Sequence, residues 1–114
     1  MGTYKNADAQ RIRSTGGTVK VTLATNVGQG NGGTSQPCLG CYVQAAIANT
    51  EVVSMNIDVA ASALLGIELG KQIKGNTDAA CQALWVPIDD VASLYFYSAD
   101  ANAVVDILYF KGGS

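Results

Sequence analysis

A chain of 114 residues is long enough for one hydrophobic core and too short for two. Charged residues make up 14% of it, against roughly 25% in an ordinary soluble domain, so part of its surface is expected to be hidden in an assembly. The net charge of -2 arises without a basic stripe, which excludes nucleic-acid binding through the folded body, and no run of about 18 apolar residues is present to form a membrane-spanning helix.

Residues 1–17 are polar, lack apolar periodicity and end in Gly16-Gly17, so a flexible N-terminal arm is expected there. Lys5, Arg11 and Arg13 form the only local basic cluster, too small for a phosphate-binding face. No basic region followed by an apolar stretch opens the chain, so synthesis inside the cell without a secretory leader is expected.

From Thr18 to Thr25 the sequence alternates, which places Val19, Val21 and Leu23 on one face of a strand. The Gly-, Asn- and Ser-rich stretch from Asn26 to Pro37 then reads as a long surface loop. Two alternating segments follow, Cys41 to Ala48 and Val52 to Val59, and the Asn49-Thr50 turn between them predicts an antiparallel hairpin. Leu65, Ile67 and Leu69 continue the alternation in a short strand. Residues 71–80 are polar, and Ala79 to Leu84 has room for no more than a helical turn.

Leu84, Val86 and Ile88 alternate again, but Pro87 lacks the N–H a central ladder uses, so this strand belongs at an edge. After an Asp89-Asp90 turn, two strong strands close the domain at Ser93 to Ser98 and Ala103 to Phe110. Leu94, Phe96, Val105, Ile107 and Tyr109 are assigned to one layer, and Tyr95, Tyr97, Leu108 and Phe110 to the other. The expected molecule is all-β: an arm over residues 1–17, one domain over 18–110 and a short flexible tail over 111–114. About seven strands must bury their apolar faces in a small two-sheet sandwich or a barrel, and the uneven loop lengths favour the sandwich.

The absence of histidine removes the usual neutral-pH general base, the Ser-His and Cys-His nucleophile pairs and the commonest metal ligand. Cys38-Leu39-Gly40-Cys41 has the spacing of a redox pair or half a zinc site. It follows a loop and enters a strand, however, so buried thiols are favoured over a structural disulfide, and a disulfide over metal or redox work. An odd third cysteine, Cys81, fits a small core residue.

Gly28 to Ser35 lacks the lysine and the following helix of a phosphate-binding loop. Asp89 and Asp90 are adjacent and diverge in an extended chain, while Asp58, Asp100 and Asp106 fit no calcium ladder. No enzymatic activity, metal or cofactor is expected. The aromatic residues of the C-terminal third serve either core or interface, since their broad apolar faces carry polar handles. Trp85, Tyr95, Tyr97, Tyr109 and Phe110, with Arg11 and Arg13, are the candidate interface residues.

Cys38 to Ala45, Asn49-Thr50, and Trp85 to Val91 leading into Leu94 to Tyr97 together resemble the small virion structural proteins of tailed bacteriophages, and among them the capsid decoration proteins. That resemblance spans residues 18–110 and implies a non-catalytic, often trimeric β body on an icosahedral shell, bridging major capsid subunits. It places the mature protein on the virion surface after synthesis in the bacterial cytoplasm, with the N-terminal arm as a candidate for the shell contact. A carbohydrate-binding β module and a tail or baseplate component are the alternatives.

Overall fold

The computed structural model describes residues 13–62, 65–69 and 83–112, with side chains from residue 16 to residue 111. Among the described residues there are eight strands: β1 (Arg13–Thr22), β2 (Val27–Gln29), β3 (Cys41–Ala45), β4 (Val53–Ile57), β5 (Ile67–Glu68), β6 (Leu84–Val86), β7 (Leu94–Ser98) and β8 (Val104–Gly112). They form two antiparallel four-stranded sheets, ordered β1-β8-β3-β6 and β2-β7-β4-β5. The chain is an all-β sandwich. No described helix is long and apolar enough to cross a membrane.

Alternation along the strands decides what lies between the sheets. Val21, Cys41, Val43, Ala45, Val86, Val105 and Ile107 project inward from the first sheet and meet Val53, Met55, Leu94 and Phe96 from the second. Phe96, Leu23, Leu94, Ile107, Val43, Val53 and Val105 are each less than 2% exposed. The layer expected for Leu94, Phe96, Val105, Ile107 and Tyr109 is this core, with Tyr109 half-buried at its margin.

Three local expectations are corrected. The segments expected to pair as a hairpin, β3 and β4, lie in different sheets, because burying both apolar faces against each other is better served across the sandwich than side by side. The crossing is held by Asn49, whose side chain donates to Val104 O at 2.9 Å and accepts from Val104 N at 2.8 Å, standing in for a strand residue. Residues 26–37 are no continuous loop: β2 pairs with β7, and a 3₁₀ turn follows over Gly30–Gly33. β2 is an edge strand, so the sequence objection to a central one stands.

The strand boundaries also move outward. β1 begins at Arg13, five residues before the expected domain start at Thr18, and β8 runs to Gly112, two beyond Phe110. A β-bulge at Gly16 explains why this pairing escaped the alternation pattern, since the register shifts between Thr15 and Gly17. The bulge makes room for Tyr109, whose ring carbons stand 2.4 Å from where a Cβ on Gly16 would lie. Expectations for residues 1–12, for Cys81, for the part of the 79–84 turn up to residue 82 and for residues 113–114 lie outside the described residues, and Leu84 opens β6. β6 is an edge strand that ends before Pro87, as the missing N–H required.

Candidate functional site

The chemistry-bearing cysteines sit where chemistry is suppressed. Leu39 N donates to Phe110 O at 2.8 Å and Phe110 N donates to Gly40 O at 3.0 Å, so Leu39 and Gly40 together oppose one residue and form a second bulge. That extra residue resets the alternation and turns both Cys38 and Cys41 inward, where each is a free, buried thiol. Burial raises both pKa values, and Cys41 is pushed from 9.0 to about 12. Its thiolate fraction at a given pH is therefore roughly a thousandfold below that of an ordinary thiol. In the folded protein at pH 8, Cys38 and Cys41 are expected to resist a thiol reagent that labels both promptly in denaturant. Peptide mass spectrometry of the labelled sites checks this, and prompt native labelling of the pair would restore a redox role.

The aspartates serve the backbone. Asp90 accepts from Ser35 Oγ, from Gln36 N at 2.9 Å and from Ala92 N at 2.9 Å, tying the 34–37 segment to a 3₁₀ turn over Val91–Ser93. The Ser35 bond leads in holding its carboxyl below the usual carboxylate range, and the two backbone amides add to it. A carboxyl lowered by folding stabilises the native state above its unfolded pKa, and that contribution is lost as pH falls through the native pKa. Asp90→Ala is expected to melt below wild type at neutral pH, with the gap closing as pH drops below about 4. Thermal melts across that range test it. Asp100 accepts from Thr50 N at 3.0 Å and Asn102 N at 3.0 Å, and Asp106 pairs with Lys20 at 2.7 Å. Among the described residues no group of three or more Cys, Asp or Glu side chains is placed to hold a metal ion.

The aromatic residues separate into three places. Trp85 and Phe110 meet on the outer face of the first sheet, where Tyr42 pairs in register with Trp85 on one side and Leu108 on the other. The ring centroids lie 5.0 Å apart for Tyr42 and Trp85, 5.8 Å for Trp85 and Phe110, and 6.1 Å for Tyr42 and Phe110, tilted or edge-on as aromatic quadrupoles prefer. Gly40 floors this cluster: its φ of +136° suits glycine, and a Cβ there would stand 2.5 Å from Trp85 Cζ2. Tyr42 and Leu39 remain exposed, and a shallow depression of about 530 Å³, lined by Thr18, Tyr42, Gln44, Asp106 and Leu108 among others, adjoins Tyr42.

Tyr95 and Tyr97 lie on the opposite surface, the outer face of the second sheet, where the Tyr95 hydroxyl accepts from Gln29 Nε2 at 3.2 Å. Tyr109 packs at the core margin against Gly16 and Gly17. Arg13 opens β1 opposite Gly112, and Arg11 lies outside the described residues. Of the seven expected interface residues, the fold therefore brings together Trp85 and Phe110. It adds Tyr42, which the alternation of Cys41-Tyr42-Val43 sends outward between two core residues.

In comparisons with known proteins, no family model, no curated protein and no solved structure matches this chain.

Proposed function

We propose that this chain is a non-catalytic virion structural protein that decorates a bacteriophage capsid as a homo-oligomer, a trimer by preference, and bridges major capsid subunits. The observation that carries the proposal is the Tyr42, Trp85 and Phe110 cluster on the outer face of the first sheet, with exposed Leu39 beside it at the bulge opposite Phe110. In a chain with so few charges, such a face suits burial against another protein, and aromatic anchors dominate interface energies. The resemblance of the Cys38 to Ala45 and Trp85 to Tyr97 segments to small phage virion proteins supports the class of partner. Repetition over a symmetric shell multiplies a modest contact into firm retention.

The test is co-sedimentation with purified capsids that lack the chain. Wild type is expected to pellet with the shells and raise their rupture temperature, and Tyr42→Ala/Trp85→Ala to lose at least about tenfold in affinity while keeping its far-UV spectrum. Shells that neither retain the wild-type chain nor gain resistance from it would overturn the proposal. The depression beside Tyr42 supports a glycan-binding module as second reading, because polar Gln44, Asp106 and Thr18 flank an aromatic ring there. Glycan-array binding abolished by the same double substitution, without shell binding, would decide for it.

A further inference from the structure

The first sheet ends in β1, whose neighbour on one side is β8 and whose other edge is open among the described residues. The register fixes which groups point outward. Leu23 N donates to Ala103 O at 2.8 Å, so Leu23, Val21 and Val19 exchange ladder bonds with β8. Thr18, Lys20 and Thr22 therefore aim their N–H and C=O groups away from the sheet. The strand that follows does not cover them. Ala24 and Val27 close a tight turn over Thr25 and Asn26, both at positive φ, yet β2 leaves after that single bridge to join β7. A groove of about 350 Å³ remains beside the edge, lined by Val19, Val21, Thr22, Val27 and Gln29 among others.

Open edges are commonly blunted by a lysine that reaches over them. Lys20 is drawn the other way, across the outer face to Asp106 at 2.7 Å. The edge is thus a row of backbone donors and acceptors next to a partly apolar slot, which fits an extended peptide added as a strand.

We infer that the occupant is residues 1–12 of a second copy of this chain, laid along Thr18 to Thr22 of its neighbour as an additional strand. Those twelve residues can extend about 40 Å, well beyond the roughly 15 Å of open edge. The same chain cannot cover its own edge easily. Ala9-Gln10-Arg11-Ile12, which would have to reverse direction before β1, contains no Gly, Pro, Asn or Asp. A turn at Asn6-Ala7-Asp8 would lay residues 1–5 beside 9–13, short of Thr18. Exchange of arms from copy to copy closes into a ring, the geometry a trimer needs. This inference rests on the self-association in the proposed function and names its geometry.

Amide hydrogen exchange of the full chain, read residue by residue by NMR over a wide concentration range, tests it together with light scattering. Thr18, Lys20 and Thr22 amides are expected to slow at least about 100-fold as the oligomer forms, whereas Val19 and Val21 are slow throughout. Thr18→Pro/Thr22→Pro removes two outward donors and no bond to β8, and Tyr4→Pro/Asn6→Pro removes donors from the arm. Both variants are expected to scatter as monomers with unchanged far-UV spectra. Free exchange of the three amides at every concentration would overturn the inference, and so would protection that survives the arm prolines, which would assign the edge to another strand. Capsid co-sedimentation is read separately, so shell binding can stand while arm exchange falls.

Discussion

Phe96→Ala is expected to lower stability by about 3–5 kcal/mol. Phe96 is the largest of the fully buried side chains, 1% exposed, and it stands in the middle of the second sheet between Gly28 on β2 and Met55 on β4. Truncation removes the transfer free energy of the ring and leaves a cavity that two hydrogen-bonded sheets cannot close. A domain of this length has a total stability on the order of 6–17 kcal/mol, so the loss is a large share of it. Urea unfolding should show a lower midpoint with an unchanged slope. Phe96→Leu, which keeps most of the volume, should cost less than about 1.5 kcal/mol. If both variants unfold near the wild-type midpoint, the two sheets do not pack on Phe96.

Phe96 also shows what was legible beforehand. In Leu94-Tyr95-Phe96-Tyr97-Ser98, as in Thr18 to Ala24 and Cys41 to Ala45, the two-residue period states which side chains are buried, and the structure follows it position by position. Sheet membership is absent from that signal. Alternation is the same whether the next strand pairs alongside or faces the segment across the core, which is why β3 and β4 read as a hairpin. The link between them is tied down by long-range bonds, Asn49 on Val104 and Thr50 N on Asp100. The β1 boundary was hidden because Gly16-Gly17 signals a loop unless the tyrosine that fills the bulge, Tyr109, is known to lie opposite.

The candidate site was half legible for a related reason. Composition identified the aromatic residues, and their identity is what an interface needs. Their location depends on sheet faces: Tyr95 and Tyr97 alternate outward on β7 just as Phe110 does on β8, but the two strands belong to opposite sheets and face away from each other. The spacing of Cys38 and Cys41 suggests chemistry, whereas their behaviour is set by a bulge at Leu39-Gly40 that sends both thiols into the core.

Gly30→Ala is expected to cost about 3 kcal/mol or more, at the upper end of what overpacking does. A Cβ on Gly30 would lie 1.9 Å from Val91 O and 2.9 Å from Val91 C, which is a collision with backbone and not with a rotatable side chain. The obstructing segment cannot step aside cheaply. Val91 is fully buried and its N–H donates to Gln36 O at 2.9 Å. Asp90 on one side holds Gln36 N, and Ala92 on the other accepts from Gln29 Nε2 at 2.7 Å, one residue before Gly30 itself. Gly32, two positions on, meets nothing within 4 Å and has a φ of +63°, so Gly32→Ala should cost only about 1–2 kcal/mol of left-handed strain. A freely flexible glycine-rich loop would tolerate the two substitutions equally. Denaturation midpoints of the pair thus separate a mobile loop from the packed joint between β2 and the Val91–Ser93 turn, and equal, small losses would return the segment to the loop that its composition suggests.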